Sequence, residues 1–161
     1  MDKKQTTPAE HAANFADLIK GQRFVMFTTR STDGVLTSRP MTIAEREDSL
    51  FRFITQGDND VATEADGQQV NLSIMDGSSY VSMAGTGRVE RDLAKKQELW
   101  NRIQEAYAGD AEDPNNVILE VTVDSAEYWD GGNQVSTLIG LAKAAVTGER
   151  PNDGVHGTVQ L

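Results

Sequence analysis

The spacing of apolar residues along this chain changes period several times, and each change predicts an element. Phe15, Leu18 and Ile19 recur at helical spacing. Ahead of them Thr7-Pro8-Ala9-Glu10 has the marks of a helix start: a capping threonine, a proline in the first turn and a glutamate three residues after the cap. Gly21 predicts where that helix ends. The period then falls to two. Residues 23–29 (RFVMFTT), 35–43 (VLTSRPMTI) and 49–55 (SLFRFIT) are rich in β-branched and aromatic residues and predict strands, with turns at Asp33-Gly34 and Glu47-Asp48. A short helix is expected from about Asp60 to Asp66, stopped by Gly67. Strands follow at 69–75 (QVNLSIM) and 79–90 (SYVSMAGTGRVE), joined at Asp76-Gly77. Residues 92–107 carry Leu93, Trp100, Ile103 and Tyr107 at helical spacing, and 109–116 (GDAEDPNN) read as an acidic loop. A sixth strand, 117–124, runs on through EYWD. Residues 134–147 predict a last helix, and the stretch from Gly148 reads as a loose tail.

Connections as short as Asp33-Gly34 impose antiparallel neighbours, because a parallel crossover needs about a dozen residues. The expected fold is therefore mainly β (α+β): six antiparallel strands with flanking helices, closed or nearly closed into a barrel so that few strand edges stay exposed. Residues 1–147 form one domain in this reading, and 148–161 the tail.

Composition narrows the function. Twenty-five acidic residues against 15 basic give a net charge of −10. Such a surface repels phosphate backbones and anionic lipid heads, so neither a nucleic acid nor a membrane is an expected partner. With no cysteine in the chain, disulfides, thiolate metal sites and cysteine nucleophiles are excluded. That usage fits a reducing cytoplasm. The N-terminal MDKKQTTPAEH has no apolar core of a signal peptide, and LIGLAKAAV is too short and polar to span a bilayer. A cytoplasmic protein is the expectation.

Candidate chemistry is sparse. The two histidines, His11 and His156, have no partner at metal-ligand spacing, and the acidic clusters lack the calcium-loop pattern, so no metal site is expected. Gly85-Thr86-Gly87 resembles part of a dinucleotide fingerprint but lies mid-strand, where a bulge or barrel corner is the better account. Two features stand out. Arg39 and Pro40 adjoin inside a strand and so project to opposite faces. By composition Arg39 reads as a surface arginine before a ligand-binding one. Tyr128-Trp129 is an aromatic pair at a strand end, which reads as core or dimer packing before a stacking role.

In combination these segments say more. The order RPM, FIT, VNLS, YVS-x-x-G, EYWD and LAKAAVTG resembles the pyridoxamine 5′-phosphate oxidase-like split β-barrel superfamily, and within it the general stress protein 26 type, over residues 10–147. The resemblance implies a homodimer with FMN at its interface. It implies that Arg39 reaches the FMN phosphate or ribityl chain, and that the backbone at Met41 and Thr42 follows the isoalloxazine edge. Ile54 and Thr55 match a second contact segment, while Tyr80 and Trp129 match positions near the ring. Two departures qualify the implication. The Arg-Leu-His element by which pyridoxamine phosphate oxidases bind substrate is replaced by Asn133-Gln134-Val135-Ser136, so vitamin B6 oxidation is not expected. Asn59 and Asp60 stand where the family usually places a basic residue on the phosphate, and Asp60 reads as an N-cap that competes for the same helix terminus. Three functions remain open: an FMN-dependent oxidoreductase of unknown substrate, a barrel that has lost FMN and binds another small molecule non-enzymatically, and a haem-binding relative. The last is disfavoured because neither histidine lies on a predicted barrel strand. No residue is singled out as catalytic.

Overall fold

The computed structural model describes residues 6–103, 109–131 and 155–161. Helix α1 (Pro8–Ile19) begins with the expected capping box: Thr7 Oγ1 accepts from the Glu10 N–H, and Glu10 Oε2 accepts from the Thr7 N–H at 2.7 Å. Seven strands follow in the first two described stretches: β1 (Phe24–Arg30), β2 (Leu36–Thr42), β3 (Glu45–Glu47), β4 (Leu50–Gln56), β5 (Gln69–Asp76), β6 (Ser79–Glu90) and β7 (Asn116–Asp130). Helix α2 (Asp60–Ala65) lies between β4 and β5, and α3 (Leu93–Ile103) between β6 and β7. An eighth strand, β8 (Val155–Gln160), closes the described chain. Two strands were therefore not expected, β3 and β8. The expectation of a loose tail from Gly148 fails for residues 155–160, which pair with Ser125–Asp130 of β7. The predicted helix 134–147 lies outside the described residues.

All strand pairs are antiparallel, in the order β2-β1-β5-β6-β7-β4-β3. One edge of the long β7 is shared, residues 116–122 pairing with β4 and 125–130 with β8. The two ends of this order, β2 and β3, are consecutive in the chain. Between them the Ile43 N–H donates to the Arg23 carbonyl and the Ala44 N–H to the Arg52 carbonyl, at 2.9 and 2.8 Å. Two residues thus carry the chain from one end of the sheet to the other, and the sheet curls into a half-barrel. Its bend is sharpened at Gly85, where the β6–β7 register shifts and a Cβ would strike the Thr122 carbonyl.

Alternation along the strands defines an inner and an outer face. Val25, Phe27, Phe51, Phe53, Leu72, Met83, Val121 and Tyr128 point inward and form the main core, in which Phe27 and Phe53 meet edge to face at 5.2 Å. A second core lies outside the barrel, where α3 covers β4 and β7 with Leu99 and Trp100 packed on Ile54 and Ile118. Helix α1 adds Phe15 and Ile19 to the main core. It is anchored by polar contacts too: the buried Tyr128 hydroxyl lies 2.6 Å from His11 Nδ1 and 3.1 Å from Asn14 Nδ2. Gly157 of β8 passes so close to His11 and Tyr128 that a side chain there would collide with both. No described helix is long and apolar enough to cross a membrane.

Candidate functional site

Arg39 sits on β2, an edge of the sheet, where a proline at position 40 is tolerated. Its register partner is Phe27, so its side chain lies on the inner face, while Pro40 and Ser38 lie on the outer one. Two residues beyond Phe27 on the same face, Thr29 is buried at 1% exposure. Its hydroxyl accepts from an Arg39 terminal nitrogen at 2.5 Å and donates to Glu64 Oε2, also at 2.5 Å. Glu64, from the last turn of α2, stands 3.8 Å from the other terminal nitrogen of Arg39. The three side chains form a relay in which the buried hydroxyl is satisfied both ways. Both charged ends stay partly open to solvent, at 24% for Arg39 and 19% for Glu64.

The other sequence-derived candidates divide among several places. Met41 packs on the main core and Thr42 is half-buried. The side chain of Ile54 is enclosed in the second core under α3, so it presents no surface to a ligand. Thr55 and Asn59 meet at the start of α2, with Asn59 Nδ2 3.4 Å from Thr55 Oγ1. Asn59 is the N-cap of that helix, without a side-chain capping bond. Asp60 is therefore the first helical residue and not the cap expected from sequence, although its exposed carboxylate still lies in the first turn. Beside Glu64 opens a cleft of about 750 Å³ whose lining includes Arg30, Asp33, Thr63, Asp66 and Gln69. Three carboxylates, Asp33, Glu64 and Asp66, face it with one arginine. The Asp33 carboxyl is held below its ordinary range by a hydrogen bond from the Ser31 hydroxyl.

Tyr80 and Trp129 are register partners on the outer face, 45% and 41% exposed. They belong to a row crossing four strands: Met75 on β5 opposite Tyr80, Tyr80 opposite Trp129, and Trp129 opposite His156 on β8. The Trp129 indole and His156 imidazole stack nearly parallel, 5.1 Å between centroids. Phe24 and Met26 of β1 extend the same face. Arg39 and this aromatic row thus lie on opposite faces of one sheet, and one protomer does not bring them together. Tyr128, by contrast, is wholly buried.

Sequence reasoning missed Thr29 and Glu64. Thr29 carries a signal, a polar residue at an inward position after Val25 and Phe27. Glu64 is one turn after Asp60 on the same helix. His156 was expected off the barrel strands, and the structure corrects this by placing it on β8. Among the described residues no group of three or more His, Cys, Asp or Glu could hold a metal ion.

A second arginine, Arg52 on β4, is bound far more tightly. Its guanidinium pairs with Glu45, with Glu47 at 2.9 Å and with Glu120 at 2.8 Å; Lys95 of α3 joins through Glu45 at 2.8 Å. Burial works to raise the Glu45 carboxyl, but hydrogen bonds from Lys95 and Arg52 outweigh it and hold the group below its ordinary 4.5. Lys95 is pushed above its ordinary 10.5, chiefly by its bond to Glu45. This network ties α3 to the barrel.

Comparison with known proteins places this geometry. The family model described as "Pyridoxamine 5′-phosphate oxidase like" matches residues 10–152. No curated protein matches the chain. A candidate general stress protein 26 of Jannaschia superposes with a TM-score of 0.74 at 24% identity, covering 95% of this chain and 99% of its own. General stress protein 26 of Bacillus anthracis gives 0.61 at 23% identity, over 72% and 91%. A general stress FMN/FAD binding protein of Xanthomonas citri gives 0.65 at 28% identity, over 78% and 92%. This chain belongs to the pyridoxamine 5′-phosphate oxidase-like family, and its fold is that of the general stress protein 26 group.

Proposed function

We propose that this protein binds a flavin of the FMN type at the interface of a homodimer and acts as an oxidoreductase whose substrate is not pyridoxamine phosphate. The observation that carries the reading is the exposed row Met75–Tyr80–Trp129 on the outer sheet face. Exposed aromatics this large, flanked by Phe24 and Met26, suit a planar ring and a second protomer better than water. The resemblance to a relative named for FMN/FAD binding supports the choice of ligand. A dimer would also supply what a single chain lacks, an arginine from one sheet face near aromatics from another.

The residues fit the two ends of a flavin unequally. Tyr80, Trp129 and the backbone around Met41 and Thr42 suit the ring. Arg39, with Thr55 and Asn59 nearby in sequence to α2, is the group available for the ribityl-phosphate end, and Glu64 already engages it. When bound, the isoalloxazine supplies the reversible redox chemistry, and the chain supplies binding, orientation and exclusion of water. No described side chain stands out as a general acid or base, which accords with electron or hydride transfer.

A second reading is favoured by the acidic cleft beside Glu64: a barrel that has lost FMN and binds another small molecule, without catalysis. Titrating the dialysed protein with FMN and with riboflavin, read by quenching of flavin fluorescence, separates the two. Saturation at one flavin per protomer supports the first reading. Absence of quenching by either flavin rules it out in favour of the second.

A further inference from the structure

We infer that Glu64 is a built-in competitor for Arg39 that sets how strongly this site prefers a phosphorylated to an unphosphorylated flavin. The inference rests on the flavin reading above and concerns the chemistry of the ligand's tail. A guanidinium recognises a phosphate through parallel N–H donors and a full unit of charge. Here one terminal nitrogen of Arg39 is committed to Thr29 Oγ1, and the other faces a carboxylate oxygen 3.8 Å away. Thr29 fixes that carboxylate in place by donating to the same oxygen, Glu64 Oε2. Because Thr29 is 1% exposed, its hydroxyl cannot turn to water to release either partner cheaply.

An approaching dianion therefore meets a cation and an anion side by side, and most of the attraction of Arg39 is cancelled. Glu64 also lines the cleft with Asp33 and Asp66, so the carboxylate side of the pair has acidic surroundings. An uncharged polyhydroxyl tail behaves differently. Its hydroxyls can accept from Arg39 and donate to Glu64, so the pair is an asset to it. The site thus suits the riboflavin-type tail about as well as the phosphorylated one, and Glu64 is the residue responsible.

The test compares the full-length wild type with Glu64→Gln, which keeps the shape and the acceptor for Thr29 but removes the charge. Each is titrated with FMN and with riboflavin. For the wild type the two affinities are expected within about threefold of each other, and in Glu64→Gln the preference for FMN rises about tenfold, chiefly by tighter FMN binding. An unchanged ratio, or weaker FMN binding in Glu64→Gln, overturns the inference. Inorganic phosphate serves as a probe that needs no flavin. At matched ionic strength it is expected to raise the Tm of Glu64→Gln and not of wild type, and an equal response of the two proteins overturns the inference. If neither protein binds flavin, the flavin reading fails and the phosphate response alone decides on Glu64. Should Glu64→Gln not fold, Glu64→Ala takes its place in both measurements.

Discussion

Arg39 and Arg52 are both half-buried arginines on barrel strands, yet they are held in opposite ways. Arg52 is surrounded by Glu45, Glu47 and Glu120, and its side chain is 13% exposed. Arg39 has one carboxylate at a distance too long for a hydrogen bond, plus one hydroxyl, and is nearly twice as exposed. A cation whose donors are saturated by fixed carboxylates is part of the scaffold, because a ligand would have to displace several charged partners at once. A cation with one terminal nitrogen bound to a hydroxyl and the other facing a carboxylate beyond hydrogen-bond distance keeps donors to spare. The contrast accords with the proposal that a ligand recruits Arg39, and it makes Arg52 part of the scaffold.

The strongest way to break this contrast is Arg52→Ala. It removes the cation shared by Glu45, Glu47 and Glu120 and leaves Glu45 to Lys95, and unfolding by urea should show a loss of about 3 kcal/mol, the low end of the range for removing one partner of a buried ion pair. Arg39→Ala should cost under about 1 kcal/mol by the same measurement, as for other partly exposed pairs. It should instead weaken FMN binding about tenfold and riboflavin binding less, since Glu64 is then unopposed. Equal losses of stability in the two variants would erase the distinction.

Acid sharpens it further. Glu45 titrates below its ordinary 4.5 in the folded protein, so its contribution to stability is complete above that value. The contribution is lost as pH falls through the depressed folded value. Melting temperatures should therefore fall more steeply below about pH 4.5 in wild type than in Glu45→Gln, with the pH 7 stabilities as reference. Lys95 works in the other direction: its raised value gives stability that is full below 10.5 and lost only as pH climbs above it. The smallest effect is expected from Asp60→Lys. An exposed charge exchanged in the first turn of α2 should tighten FMN only about three- to fivefold, and should lower stability by about 0.5 kcal/mol through the helix dipole. No change in FMN affinity would show that Asp60 does not face the phosphate end.

Most of the barrel was legible because its signals are local. Thr7 and Glu10 announce α1, and β6 spans the predicted 79–90 because alternation is sustained through Val81, Met83 and the two glycines. The two strands that escaped notice lack that signal for identifiable reasons. β3 is three residues long, and all three, Glu45, Arg46 and Glu47, are charged, so it shows no alternation of apolar and polar positions. β8 turns Gly157 inward where a hydrophobic residue would be expected, because His11 and Tyr128 already fill the space. The site divides in the same manner. That Arg39 and Pro40 take opposite faces follows from strand period alone. That Glu64 engages Arg39 depends on how α2 packs over β1, a contact between residues 25 positions apart which no periodicity announces.

The contact of Gly157 with His11 and Tyr128 bears on how this chain can be cut. Judged by sequence, everything after Gly148 looks dispensable and an obvious place to trim for crystallisation or fusion. In the folded molecule the first helix and the last strand close on one tyrosine, so the two ends of the chain act as a clasp. Trimming either would strip the C-terminal half of β7 of a neighbour or leave the Tyr128 hydroxyl short of its partners. A bare strand edge beside an exposed row of aromatics is a template for aggregation. A tag is better carried beyond Leu161 than in place of the residues before it.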